Sequence, residues 1–329
     1  MIKTDSVFIL GAGASVPYGY PTGFELAEGI KTFLLNFPYD PKVASKDMAE
    51  VHNFFNQLVS PLPKLKQFYD ALLKASTYSI DKFLENRPDY LELGKLLIAY
   101  MLKKKEHEFN LFINLKEKNW YAELFNRIDA NVENISKNRI SFITFNYDRS
   151  LEFFLYNLLK SRSTRRDEDI LQAFHSIHII HVYGSLGCFP WESSCPIPYS
   201  YEFTPDHIKK MSANIQIMSN EGETEEFRAA HKLLNQARNI YFIGFGYDFS
   251  NLHRLKIIEY AKNKVVKGTV IGIPLTLQKE IESFFNLDVR FDSKENKNIY
   301  TKQSNRSILL ANQNETIMDF LDKHVAFET

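Results

Sequence analysis

Short apolar runs that each break off at glycine or a small polar residue, with helix-patterned segments between them, constrain this chain more than any other feature. The first is Ser6–Leu10, which reads Ser-Val-Phe-Ile-Leu and stops at Gly11-Ala12-Gly13-Ala14-Ser15. An unbroken apolar run of that length suits a strand buried on both faces, and the glycines suit a tight turn after it. Beyond Pro17, Gly19 and Pro21, residues 24–37 place Phe24, Ala27, Ile30, Phe33 and Leu34 at helical spacing. The chain therefore opens as strand, glycine turn, helix.

The next convincing strand is 139–145. The intervening stretch is too long for an ordinary crossover. Its apolar residues recur at three- and four-residue intervals in 48–58, 65–74, 80–84, 90–104 and 120–128, opposite faces rich in Lys and Glu. Residues 38–138 thus read as a helical subdomain inserted into a core formed by 1–37 and 139–329, all within a single domain spanning 1–329. Strands expected at 140–145, 177–183, 240–245, 268–273 and 289–291 then alternate with helices at 150–160, 225–237, 252–263 and 277–285. This alternation predicts an α/β fold, a Rossmann-like doubly wound parallel sheet with a helical insertion. The charged run 161–169 reads as a solvated loop.

Composition narrows the function classes. Lys plus Arg equals Asp plus Glu, at 40 each, so no global field draws the chain to nucleic acid or to an anionic membrane. The hydrophobic fraction of 44% supports a large core rather than a disordered chain. Cys188 and Cys195 are too few for a disulfide framework and are not spaced as the CxxC pairs of a structural zinc site. The N-terminus carries no signal-peptide pattern, and no stretch is apolar for long enough to span a bilayer. A cytoplasmic protein with no membrane partner is the expectation.

In doubly wound sheets ligands bind at the carboxyl ends of the strands, so those positions carry the functional reading. Gly11 and Gly13 let the backbone turn sharply and approach a pyrophosphate, whose charge meets free N–H groups there. The same pair also serves a plain tight turn. A dehydrogenase fingerprint would need a third glycine where Val16 stands and an acidic residue closing a second strand, and both are missing. The second strand ends in Thr144-Phe145-Asn146-Tyr147-Asp148, whose amide and carboxylate can face a ligand or cap the following helix. The next ends in His181-Val182-Tyr183-Gly184-Ser185, with His181 and Tyr183 on one face of an extended strand. His175, His178 and His181 do not make a metal site there, because strand residues three apart point to opposite faces. The fourth ends in Gly244-Phe245-Gly246-Tyr247-Asp248-Phe249-Ser250-Asn251, again glycines and small polar groups at a strand mouth.

Taken in order, Gly11-Ala12-Gly13-Ala14-Ser15, Tyr20-Pro21-Thr22-Gly23, Thr144-Phe145-Asn146-Tyr147-Asp148, Tyr183-Gly184-Ser185 and Gly244-Phe245-Gly246-Tyr247-Asp248 resemble the sirtuin family. The likeness is to its prokaryotic branch in anti-phage defence, and Ser79-Ile80-Asp81 is similar to a short motif of that branch. The resemblance implies an NAD-binding site in which Ala12, Gly13 and Ser15 cradle the phosphates and Asn146 and Asp148 lie near the nicotinamide ribose. It extends the cofactor-binding set to Gly11, Pro21, Thr22, Asp81, Tyr147, Tyr183, Gly184, Ser185, Gly244, Gly246 and Tyr247. The family's general base is a histidine directly before Gly-Ser. Tyr183 stands at that position here, so the role is expected of His181, with Asn146 as the other catalytic residue.

The classical family members are protein deacylases with a four-cysteine zinc module, which two cysteines cannot build. The resemblance therefore implies an NAD hydrolase that uses NAD as substrate and no metal, releasing nicotinamide and ADP-ribose as the effector of an anti-phage system. The different-class alternative is a regulatory module that binds NAD or ADP-ribose without cleaving it. A freely active NAD hydrolase would poison its own cell. The resemblance therefore also implies gating by a homo-oligomer or by a partner protein, a motor ATPase or another sensor of phage.

Overall fold

Alternation along the central strand sets the architecture. In the computed structural model, which describes residues 1–40, 45–77, 79–113, 119–192, 196–217, 224–292, 297–302 and 308–328, every residue of the first strand is buried. Val7 and Ile9 join one hydrophobic cluster, Phe8 and Leu10 the other. A strand that is apolar on both faces needs helices on both faces.

The strands are β1 (Ser6–Leu10), β2 (Ile140–Thr144), β3 (His178–His181), β4 (Asn239–Ile243), β5 (Val265–Gly268), β6 (Leu287–Asp292), β7 (Lys297–Lys302) and β8 (Ile308–Leu310). Six of them form one sheet in the order β3-β2-β1-β4-β5-β8, parallel at every pairing. The chain winds outward from β1 to β3, returns to the centre at β4 and winds outward on the other side. This is the doubly wound, Rossmann-like order expected from the sequence. It puts the reversal of winding between β1 and β4, where such sheets open a crevice at the carboxyl ends.

One face is covered by helices Gly23–Leu35, Trp120–Arg127, Ser150–Ser161 and Ile317–His324, which bury Leu26, Ile30, Leu124, Phe154 and Phe320 against Phe8 and Phe142. The opposite face is covered by Glu225–Gln236 and Leu275–Phe285, through Phe227, Leu234, Ile281 and Phe285. Between Gly23–Leu35 and β2 the described chain is helical, with Lys46–Leu58, Pro63–Ala75, Ile80–Asn86, Leu91–Lys103 and Glu108–Phe112 preceding Trp120–Arg127.

Several local expectations are corrected. Residues 289–291 do not extend the parallel sheet: they lie in β6, which pairs antiparallel with β7 in a separate two-stranded sheet, and β8 takes the edge beside β5. The strand expected at 268–273 ends at Gly268 instead, one strand length earlier. The helix expected at 252–263 is two short ones, Phe249–Arg254 and Ile257–Tyr260, separated where Lys256 takes a positive φ of 50°. Within 161–169, helix Asp167–His175 begins, with Asp167, Glu168 and Asp169 in its first turn, where carboxylates favour the positive end of the helix dipole.

At the switch point the loops after β1 and β4 touch backbone to backbone. The Gly13 N–H donates to the Gly244 carbonyl at 2.9 Å. A Cβ on Gly244, at φ +57°, would stand 2.0 Å from the Ala14 nitrogen. Both space and dihedral therefore require glycine. Gly244→Ala is expected to lower stability by about 3 kcal/mol through strain and overpacking, read as a reduced midpoint in urea unfolding.

Candidate functional site at the carboxyl ends of the strands

The loop after β1 coils into two 3₁₀ turns, Ala12–Ala14 and Val16–Tyr18. Helix Trp120–Arg127 pins them from one side. The Trp120 indole N–H donates to the Ala14 carbonyl at 2.8 Å, the Tyr121 N–H donates to the Tyr18 hydroxyl at 2.9 Å, and the Tyr18 and Tyr121 rings stack at 4.1 Å. The Ala12 N–H has no hydrogen-bond partner among the described residues and is a donor that an anion can take up. Ser15 is buried, and its hydroxyl faces the interior.

Asn146, just past β2, pins the same loop from the other side. Its Nδ2 donates to the Gly11 carbonyl and to Ser15 Oγ, each at 3.0 Å. Its side-chain oxygen has no donor among the described residues. Asp148 is buried, accepts from the Ser150 N–H at 3.1 Å and from the Ser150 hydroxyl, and burial pushes its carboxyl above the ordinary value. The Ser150 hydroxyl meets the Tyr121 hydroxyl at 2.8 Å. Asn146 and Asp148 therefore both approach the Ser15 hydroxyl, the amide from beside the β1 loop and the carboxylate from the capped start of helix Ser150–Ser161.

His181 and Tyr183 also diverge. β3 ends at His181 rather than at 183, and Gly184 turns the chain with φ +73°, where a Cβ would meet the Asn214 carbonyl oxygen at 1.9 Å. Both His181 ring nitrogens are engaged, Nδ1 with the Asn146 carbonyl oxygen at 2.8 Å and Nε2 with the Glu152 carboxylate. Burial acts to lower the His181 pKa, but the Glu152 charge and its hydrogen bonds outweigh this and hold it above the ordinary value. The Tyr183 hydroxyl donates to Asn251 Oδ1 at 2.6 Å, with Arg254 nearby, and burial pushes its pKa up to about 12.

Tyr183 lines a cavity of about 360 Å³ at the strand ends, with Phe145 and Tyr147 after β2, Asp248 and Asn251 after β4, and Thr77, Ser79, Asp81, Lys82 and Glu85 from the helical region. The Tyr147 hydroxyl donates to Asp81 Oδ1 at 2.6 Å. Burial raises the Asp81 carboxyl, against the lowering effect of that hydrogen bond. Ser79 caps helix Ile80–Asn86 by accepting from the Lys82 N–H, which sets Asp81 and Glu85 one turn apart on it. Glu85 Oε2 pairs with Lys82 at 3.0 Å, whereas Oε1 is buried with no partner. Asp248 caps helix Phe249–Arg254 through the Asn251 N–H at 3.1 Å.

The remaining sequence-singled residues have structural surroundings. Thr22 caps helix Gly23–Leu35 in a reciprocal capping box with Glu25, and Pro21 precedes it. Ser185 is partly buried beside the Gly184 turn, and Gly246 is exposed. Tyr247, at φ +55°, turns its ring into the core below β5, where its hydroxyl donates to the Thr269 carbonyl at 3.1 Å. Cys188 is exposed and unpaired, and Cys195 lies outside the described residues. Among the described residues no cluster of three or more His, Cys, Asp or Glu is placed to hold a metal ion, and no helix is long and apolar enough to cross a membrane.

Sequence reasoning passed over the buried charges around Arg149, the residue that follows Asp148. Arg149, Glu106 and Lys103 are all at most 1% exposed. Arg149 donates to both Glu106 oxygens at 2.8–3.0 Å and to the Ile197 carbonyl at 3.0 Å, and Lys103 donates to Glu106 at 2.6 Å. Glu152 and Glu85 were missed as well, and Asn251 was read only as one of the small polar groups at the end of the fourth strand. Both glutamates lie in helices, Ile80–Asn86 and Ser150–Ser161, where no local signal separates a carboxylate facing the interior from one facing water.

In comparisons with known proteins, no family model matches the chain and no curated protein sequence matches it significantly. Removing the central acid is the sharpest test of the buried charge cluster. Glu106→Gln leaves Arg149 and Lys103 buried without their anion and is expected to cost about 3–5 kcal/mol of stability, measured by urea unfolding at neutral pH.

Proposed function

We propose that the chain binds NAD at the mouth formed by the ends of β1 to β4 and hydrolyses its nicotinamide–ribose bond, releasing nicotinamide and ADP-ribose. The observation that carries this reading is the cavity in which Asp81 meets Tyr147, beside Tyr183 and Asp248. Stretches far apart in the chain, each resembling the same sirtuin-like defence branch, converge there on a doubly wound sheet.

The cavity's chemistry suits the charged end of NAD. Asp81, Glu85 and Asp248 face it with the Lys82 ammonium, the Arg254 guanidinium lies 3.4 Å from the Tyr183 hydroxyl, and Phe145, Tyr147 and Tyr183 add aromatic walls. The nicotinamide ring of NAD is a cation, which aromatic faces and carboxylates both attract. When the C1′–N bond breaks, its electron pair goes to the ring nitrogen and positive charge moves onto the ribose. Fixed negative charge at that point stabilises the oxocarbenium-like transition state. The unpartnered Glu85 oxygen is suited to a ribose hydroxyl, and the open Asn146 side-chain oxygen to a hydroxyl or the attacking water. Water then bonds to C1′ and gives its proton to a carboxylate. His181 is left to support Asn146, because neither ring nitrogen is open to accept that proton.

A second reading, binding of NAD or ADP-ribose without turnover, draws on the same engaged His181 and on a Tyr183 phenol held near 12, too weakly acidic to act as a base at neutral pH. Gating by self-association or by a partner protein, such as a motor ATPase or phage sensor, completes the first reading, since an ungated enzyme would drain its own cell.

Nicotinamide release from NAD by the purified protein, alone and with the product of a neighbouring gene, separates the two. Release is expected from the wild type and is expected to fall at least about tenfold, ~1.4 kcal/mol in barrier, in Asp81→Asn and Asn146→Ala. NAD binding with no release in any condition would favour the module. The cavity's charge further predicts that NAD, with its cationic ring, binds more tightly than NADH, whose ring is neutral; calorimetric titration showing equal affinities would remove the electrostatic part of the mechanism.

A further inference from the structure

Glu152 lies in helix Ser150–Ser161, is buried, and meets His181 at the end of β3. The opposite ring nitrogen of His181 faces the Asn146 carbonyl oxygen at 2.8 Å. A carbonyl can only accept, so Nδ1 there must carry a proton. A carboxylate can only accept as well, so a hydrogen bond from Nε2 requires a second ring proton. Only the imidazolium supplies both donors at once. Asn146 in turn donates to Gly11 and Ser15. Asn146 is thus held at two points, its main-chain carbonyl by His181 and its side-chain amide by Gly11 and Ser15, which ties Glu152 and His181 to the loop after β1, the centre of the mouth.

We propose that Glu152 is a positioning residue that holds His181 in its doubly donating form and, through it, locks Asn146 against the β1 loop, so that ligand binding at the mouth follows the protonation of His181. The inference rests on the proposed NAD site only for the choice of ligand. The charged groups that act on His181 are Glu152, in direct contact, and Asp148, through space, and both favour the imidazolium. Glu192 in turn lies within the field of Glu152. Burial alone would neutralise the ring, so the carboxylates decide its state. Because the folded value lies above the ordinary one of about 6.5, the lock is complete below that pH and is lost as pH rises through the folded value.

The test follows His181 by NMR of the full chain, its imidazole signals assigned by their absence from His181→Gln, alongside NAD affinity measured from pH 5.5 to 9. In the wild type, affinity and the protection of the Asn146 side-chain amide from hydrogen exchange are expected to fall together through the His181 midpoint. In Glu152→Gln, that midpoint is expected to drop by about one pH unit or more and the affinity profile to move with it. Glu152→Asp, which keeps the charge, is expected to restore both in part. A midpoint unmoved in Glu152→Gln overturns the proposal, as does an affinity that stays flat while His181 titrates. Should Glu152→Gln fail to fold, the wild-type profile and Glu152→Asp decide the matter by the same criteria. Absence of NAD binding at every pH would remove the proposed function, while the His181 midpoint and the Asn146 amide protection would still decide the lock.

Discussion

The buried guanidinium of Arg149 organises the mouth of this sheet. It directly follows Asp148, so whatever fixes it also fixes the turn carrying Asn146 and Tyr147. Its fork reaches Glu106 on the helical region and the carbonyls of Gly187, Cys188 and Ile197 on the long loop after β3, while its flat face lies 4.4 Å from the Phe189 ring centre. Lys103 completes the balance by donating to Glu106 and to the Pro198 carbonyl at 2.5 Å. Burying ions costs several kcal/mol each, and apolar residues of the same volume can match such a set in stability. What the ions add is direction. A planar fork whose acceptors come from the helical region and from the loop after β3 admits one arrangement of those two segments.

This arrangement relocates the opening that the strand order alone suggests. In a doubly wound sheet the crevice lies between the strands where winding reverses, here β1 and β4. In this chain the loops after those strands close on each other through Gly11, Gly13 and Gly244, with backbone contacts that tolerate no side chain. The glycines therefore act first as a seam. The open space lies to the side of it, over the ends of β2, β3 and β4, roofed by helix Ile80–Asn86. On the proposed function, the Ala12 N–H at the seam would serve as a donor for phosphate at the centre, and the acidic, aromatic cavity beside it as a field for the cationic ring at the flank.

How far the sequence reveals this varies with the kind of signal. β1, β2 and β4 were legible because a strand buried on both faces must be apolar without interruption, and the winding followed from their alternation with helices. The last strand was not: Val289-Arg290-Phe291 reads as a strand but pairs in the separate two-stranded sheet, and the run that reaches the main sheet, Ile308–Leu310, is only three residues long. Helix Asp167–His175 announced itself through three acidic residues in its first turn, a cue hidden among the neighbouring arginines. The buried charges were illegible for a deeper reason. Glu106 and Arg149 are separated by 43 residues, and nothing local distinguishes a carboxylate that meets a guanidinium from one that meets water.

The divergence of His181 and Tyr183 bears most on the chemistry. Extended geometry would set them side by side, and a base two residues upstream of the family position would then reach the same ligand. The strand stops at His181, however, and the left-handed turn at Gly184 sends Tyr183 to Asn251 while His181 turns inward to Glu152. Loss of a base from the cavity weighs little on the proposed reaction, because nicotinamide departs from NAD as a neutral molecule and leaves the positive charge on the ribose. The barrier then depends on how well the site stabilises that cation, and a carboxylate held in a dry, fixed position does so without reorganising. Asp81, partly buried and anchored by Tyr147, and Glu85, with one buried oxygen unclaimed, line the cavity where that charge would be needed. The helical region between β1 and β2 thus contributes charge as well as cover, and the proposed chemistry belongs as much to that region as to the sheet.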